Sequence, residues 1–263
     1  MGTTARWIFV VAGLAAAALA VGYFTQAPWA LATWPWAEGR LSNVFMSSML
    51  AAAAATLLFI GVTAQRVAAA PGLLHLAIIL AGMAGIVGPL AGASPDARPA
   101  AFAAAAALGA VGCLVAFPWA RRGSLRDARP LPRALRAWFV LYIAILLPAG
   151  LALLLQVPGI MPWPLKPATS QIYGVVFLAA IASFAYPLAR PSFEYANVGL
   201  VGFLAYDAVL LPPMLAHFAT VRPELLRSLV LYCMVLALSG AISAYYLLRR
   251  PPMLPVSGVV RLA

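Results

Sequence analysis

Apolar positions in this chain run unbroken for about 20 residues at a time, which is what crossing a 30 Å hydrocarbon layer at 1.5 Å per helical residue requires. Eight stretches qualify: Trp7–Phe24, Val44–Ala64, Leu73–Ala93, Ala100–Trp119, Trp138–Val157, Ile172–Ala189, Val198–His217 and Leu229–Leu248. None contains Lys or Arg. Their apolar character is continuous rather than alternating, which predicts helices and argues against membrane β-strands. The pattern predicts an all-α polytopic integral membrane protein with about eight transmembrane helices. Arg6, the following apolar run and Ala18-Leu19-Ala20 imitate a cleaved signal peptide. The internal repeat described below argues that this first span is retained.

Composition agrees with the pattern. Of 263 residues, 65% are hydrophobic and 9% charged, against roughly 45–50% and about 25% in soluble domains. So few charges could not cover a soluble globule. Soluble enzymes, disordered tails and nucleic-acid-binding domains are thereby excluded as classes. The net charge of +11 has to be read by location instead.

The longest basic connection carries Arg121, Arg122, Arg126, Arg129, Arg133 and Arg136 against Asp127 alone. Placing it in the cytoplasm also places both termini there, together with Arg6, Arg66, Arg190, Arg249, Arg250 and Arg261. Twelve of the 17 cations then lie inside, and Arg40, Arg98, Lys166, Arg222 and Arg227 lie outside. That is the positive-inside bias of a protein of the bacterial inner membrane. The six loop arginines read as contacts to anionic lipid headgroups, with docking of an acidic partner as the alternative. Pro130 and Pro132 interrupt any amphipathic helix there. No nucleic-acid partner is expected.

The two halves of the chain echo one another. Trp7 and Trp138 open spans one and five, and Pro35-Trp36 and Pro162-Trp163 precede spans two and six. Pro89 in span three answers Pro212 in span seven, and Arg121-Arg122 and Arg249-Arg250 close spans four and eight. These pairs are 131, 127, 123 and 128 positions apart. The spacing predicts two parallel four-helix repeats, over residues 1–122 and 137–250, joined by a basic cytoplasmic linker at 123–136 and followed by a tail at 251–263. The Trp/Pro-rich connections after spans one and five are expected to lie flat in the outer interface, where indole rings settle. The alternative is a rim for a lipidic ligand or a partner helix.

Within the second of these connections, the run Met161-Pro-Trp-Pro-Leu-Lys-Pro-Ala-Thr-Ser-Gln-Ile-Tyr173 resembles the segments leading into spans of uncharacterised bacterial multi-pass membrane proteins. The resemblance is compositional, covers little of the chain and implies no activity.

Candidate chemistry is sparse. His75 and His217 fall near opposite ends of their spans, too far apart to share a haem. Cys113 lies 8 residues before Arg121 and Cys233 lies 16 before Arg249. That differs by about 12 Å of depth, beyond disulfide reach. No Walker loop, HExxH or CxxC motif occurs. No catalytic residue, metal site or cofactor is predicted.

Asp207, near the middle of span seven, is the conspicuous intramembrane group. A carboxyl group there is costly and is a functional candidate for that reason. Its helix neighbours Phe203, Leu204, Leu210 and Leu211 cannot bond it, so its partner must come from another helix or from water. Tyr206 is expected to bring a hydroxyl nearby. Pro212 and Pro213 lack N–H groups, releasing the carbonyls of Ala208 and Val209. Together these six residues form a candidate proton, cation or polar-ligand site. The competing reading is a structural Asp207 bonded to a Ser or Tyr hydroxyl on a neighbouring span. Small residues such as Gly82, Gly85, Gly88, Ser239 and Ser243 read as helix contacts. Polar residues trace no continuous stripe, which argues against a wide aqueous channel.

Two functions fit. The first, towards which the sequence leans because buried polar groups are few, is a non-catalytic membrane subunit that accompanies other integral membrane subunits or forms a homo-oligomer. The second is a transporter of a small or lipophilic solute, using the cleft between the repeats and Asp207.

Overall fold

The computed structural model describes residues 1–92 and 95–249. Arg250, Arg261 and the tail at 251–263 lie outside the described residues, as does Ala93 at the end of the third predicted span. The described chain is helical: α1 (Thr3–Phe24), the short α2 (Pro28–Leu31), α3 (Arg40–Thr63), α4 (Ala69–Ala91), α5 (Arg98–Arg121), α6 (Arg133–Leu154), α7 (Pro167–Ala189), α8 (Phe193–His217) and α9 (Leu226–Arg249), the last entered through a 3₁₀ turn at Pro223–Leu225. Eight of these are long and apolar enough to cross a membrane, the character of a multi-pass membrane protein.

Each long helix begins two to five residues before the apolar stretch that predicted it. The first turn of a helix leaves four N–H groups without intrahelical partners, so it favours polar surroundings and non-donating residues. Arg98-Pro99 and Pro167 open α5 and α7 accordingly, and the Ser192 hydroxyl caps α8 by accepting the Glu194 N–H. The basic connection is consequently shorter than expected. It spans 122–132, with Arg121 closing α5 and Arg133 and Arg136 on the first turns of α6.

Four helices, α3, α4, α7 and α8, form the centre, with α3 packed on α8 and α4 packed on α7. The other four each lean on one central helix: α1 on α3, α5 on α4, α6 on α7 and α9 on α8. Small residues permit the closest approaches. A Cβ on Gly174 of α7 would lie 2.7 Å from the Gly150 carbonyl oxygen of α6, and one on Gly82 of α4 would strike Val175 of α7. Gly85 and Gly88, by contrast, face open space.

The outward faces of the peripheral helices are apolar, with Trp7, Leu108, Val115 and Leu248 more than half exposed. That suits lipid, against which apolar side chains cost nothing.

The ends of the bundle differ. At one, the Trp/Pro-rich connections fold inward instead of lying flat: Trp34 and Trp163 are buried, while Trp29 stays exposed. The Trp36 indole donates to Thr169 Oγ1 on α7 at 3.0 Å, and the Trp163 indole donates to Ser42 Oγ on α3 at 3.1 Å. Each connection thus clips the far half of the chain. Helices α1 and α6 both end on a glutamine in the left-handed region, Gln26 and Gln156, each at φ 59°. In both, the next N–H closes back on the helix, from Ala27 to Gly22 at 2.8 Å and from Val157 to Ala152 at 2.9 Å, a Schellman-type end.

At the other end, the basic connection is stitched to α8. Glu194, fully buried, accepts the N–H groups of Arg126 at 2.6 Å and Asp127 at 2.9 Å. Ser192 donates to the Asp127 carbonyl at 2.7 Å, and Pro130 and Ser192 form an isolated antiparallel bridge.

Candidate functional site

The predicted site residues separate when the chain folds. Asp207 faces inward from α8 and is 3% exposed. Its Oδ2 accepts the Ser239 hydroxyl of α9, so the partner does come from another helix. Gly240 makes room for this approach, since a Cβ there would stand 3.3 Å from the Asp207 Cβ. The second oxygen, Oδ1, is buried without a hydrogen-bonding partner among the described residues.

Tyr206 does not serve Asp207. Its hydroxyl meets the Tyr232 hydroxyl of α9 at 2.7 Å. Ala208 and Pro212 are exposed on the opposite face of α8, one residue or more round the helix from Asp207. The helix runs on through Pro212 and Pro213 to His217. Ala208, Val209 and the two prolines are therefore not gathered round the carboxyl group, because 100° per residue carries adjacent positions to different faces.

Asp207 instead lines a cavity of about 390 Å³ between helices from both halves of the chain. Its walls are mostly apolar, drawn from α1, α3, α4, α6, α7, α8 and α9 and from the connection at Gly159–Met161. The Ser228 hydroxyl of α9 donates to the Gly159 carbonyl and ties that connection to α9. Three polar pairs interrupt the apolar lining: Asp207 with Ser239, Tyr206 with Tyr232, and His75 with Ser183, whose Nδ1 and Oγ are 2.7 Å apart. Thr56 and Tyr142 add hydroxyls, and Tyr142 donates to the Val235 carbonyl at 3.2 Å.

This corrects one expectation. His75, set aside as an interfacial residue, shares a cavity with Asp207. The sequence signal for His75 was present but weak: it stands a turn and a half into α4, one residue type among apolar neighbours. His217 remains apart, bonded to the Pro162 carbonyl at 3.1 Å and to Thr220 at 3.0 Å. Both cysteines are free thiols, as their spacing implied. No cluster of three or more His, Cys, Asp or Glu side chains suited to a metal occurs among the described residues.

The six loop arginines divide. Arg121, Arg122, Arg126, Arg133 and Arg136 are exposed, but several spend their donors within the protein. Arg126 reaches the Thr63 carbonyl at 3.1 Å and Arg136 the Leu131 carbonyl at 3.1 Å. Arg129 pairs with buried Asp127 at 2.5 Å and lies over the Phe193 ring. The Asp127 hydrogen bonds push the pKa of the Arg129 guanidinium up, by favouring its charged form. Sequence reasoning missed Glu194, whose apolar neighbours and place at the edge of a span concealed its role as the anchor of this loop.

Comparison of the chain with protein-family models, with curated proteins and with solved structures finds no match in any of the three.

Proposed function

We propose that this protein binds a small lipophilic solute in the cavity between its two halves and carries it through the membrane, with Asp207 as the polar anchor. The observation that supports this reading is the cavity itself: about 390 Å³ lies within the roughly 300–1,000 Å³ range of ligand pockets. A mostly apolar wall with a few convergent polar groups is the composition of such sites. A protein that only scaffolds others has no use for such a cleft, whose lining forfeits dispersion contacts. The accessory-subunit reading rests on composition alone.

The architecture that goes with this reading is two parallel four-helix repeats about an axis along the membrane normal. Exchanging each helix for its counterpart four spans on turns the α3–α8 contact into α7–α4, α1–α3 into α6–α7, and α4–α5 into α8–α9. Trp36 with Thr169 and Trp163 with Ser42 are likewise one interaction seen twice, at an offset of 127 for both members. A transport site between repeats is a common arrangement. The arginine-rich end faces the cytoplasm of a bacterial inner membrane in this reading, by the positive-inside rule.

The test uses the full chain in lipid nanodiscs and the neutral fluorescent probe N-phenyl-1-naphthylamine. Saturable binding is expected for the wild type and not for Gly199→Phe. Gly199 lines the cavity, and a Cβ there meets nothing closer than the Ser183 oxygen at 4.0 Å, so a larger side chain can start from this position and occupy the cavity. Equal binding by both proteins refutes the cavity as the site. Native mass measurement after gentle extraction decides for the accessory-subunit reading if other protein chains co-purify in fixed ratio.

A further inference from the structure

The cavity wall is selective in its charge. Among the described residues that line it there is one carboxyl group, Asp207, one imidazole, His75, and no Lys or Arg. Among the described residues the buried Asp207 Oδ1 atom has no hydrogen-bonding partner, so half of this carboxyl group's accepting capacity is uncommitted. An anion entering the cavity would meet no cationic side chain fixed to receive it.

A run of aromatic rings lines the same cavity as the carboxyl group. Phe203 lies one turn before Asp207 on α8 and is 5.9 Å from the Tyr142 ring and 6.4 Å from the Tyr206 ring. Tyr206 meets Phe45 edge to face at 5.9 Å, and Phe45 is 6.2 Å from Phe177. Five rings from α3, α6, α7 and α8 thus line the same cavity as one carboxylate. The faces of aromatic rings carry negative potential and attract cations, more strongly where water is excluded. A buried carboxylate supplies the compensating charge that a desolvated cation needs.

We propose that the solute is a lipophilic organic cation, an amine or onium centre carried on apolar groups. This inference rests on the cavity reading above and names the chemical class of its ligand. The apolar groups contact the Leu, Ile and Ala wall, and the Asp207 carboxyl group and the rings hold the cationic centre. Ser239 holds the other oxygen, which keeps the carboxyl group turned toward α9 and limits its rotation.

The experiment displaces N-phenyl-1-naphthylamine from the full chain with two ions of nearly one shape and opposite charge, tetraphenylphosphonium and tetraphenylborate. The Gly199→Phe protein serves as the blank for partition into lipid. Tetraphenylphosphonium is expected to displace the probe at concentrations at least about tenfold below those of tetraphenylborate. Asp207→Asn, nearly isosteric and still able to accept from Ser239, is expected to abolish that preference. Tyr206→Leu should weaken displacement by the cation several-fold, and Tyr206→Phe, which keeps the ring, should not. Equal displacement by the two ions on the wild type overturns the proposal without the use of any variant, and leaves the cavity reading standing if the probe still binds. An unchanged preference in Asp207→Asn overturns it as well. Absence of saturable probe binding to the wild type defeats both readings together.

Discussion

Gly174 offers a sharp test of how the helices around the cavity are held. A Cβ at this position on α7 would stand 2.7 Å from both the Gly150 carbonyl oxygen and the Leu154 nitrogen of α6. Those are backbone atoms, so no side-chain rotation relieves the clash. Restoring an ordinary 3.4 Å contact requires α6 and α7 to part by roughly 0.7 Å, and a gap of that size forfeits a quarter to a half of each dispersion contact along the seam. Overpacking of this kind costs about 1–3 kcal/mol, and two backbone contacts place Gly174→Ala at the upper end. For a chain of this size 1 kcal/mol moves a melting midpoint by about 2–4 °C, so a fall of about 6–10 °C is expected. Gly85→Ala is the internal control. It lies within helix α4, and a Cβ there meets nothing within 4 Å. The same substitution should be neutral or raise the midpoint, because Ala exceeds Gly in helix propensity by up to about 1 kcal/mol. The assay is thermal unfolding of purified protein in one detergent, followed by size-exclusion fluorescence. Since α7 also carries Phe177 and Ser183 of the cavity, probe binding should fall for Gly174→Ala alone. A midpoint for Gly174→Ala within 2 °C of wild type, or equal losses for the two variants, would refute the packing argument.

Two further outcomes follow from other contacts. Trp36→Phe and Trp163→Phe each remove one indole–hydroxyl bond, worth about 1 kcal/mol. Trp163→Phe should cost more in the same melting assay, because it leaves the buried Ser42 hydroxyl without its donor, whereas Trp36 is half-buried and its partners Thr169 and Glu38 stay bonded to each other. Glu194→Ala leaves two N–H groups of the basic connection without their acceptor, and bonds to a charged acceptor contribute about 1.5–3 kcal/mol each. Trypsin should then cut at Arg122 or Arg126 several-fold faster than in wild type, and an unchanged cleavage rate would count against the anchoring role.

What could be read in the sequence was whatever depends on one helix at a time. The eight long helices were found from length and apolarity, because a bilayer-spanning helix satisfies its own backbone and needs no partner to declare itself. Their starts were placed late, because hydropathy marks the apolar core and not the first polar turn. Asp207 stood out for the same single-helix reason, and so did the need for a partner on another span. The choice of Ser239, 32 positions away, could not be read, since any hydroxyl on a neighbouring span would have served.

The candidate site therefore survives only in part. Asp207 remains at its centre, while Tyr206 turns to Tyr232, and Ala208 and Pro212 lie on the exposed face. Residues at adjacent positions share a sequence neighbourhood but not a helix face. His75 and Ser183, 108 positions apart, became neighbours through the α4–α7 contact, which no local pattern encodes. Spaced Trp and Pro residues could be read in both halves, yet the crossing of each Trp-bearing connection to the opposite half could not. Eight apolar helices, a buried carboxyl group and a basic end are legible along the chain, because those properties follow from transfer free energies summed along a single helix. Which faces meet, and so where the cavity lies and which groups line it, is settled on folding, because contact between helices depends on the depth and rotation of each relative to the others.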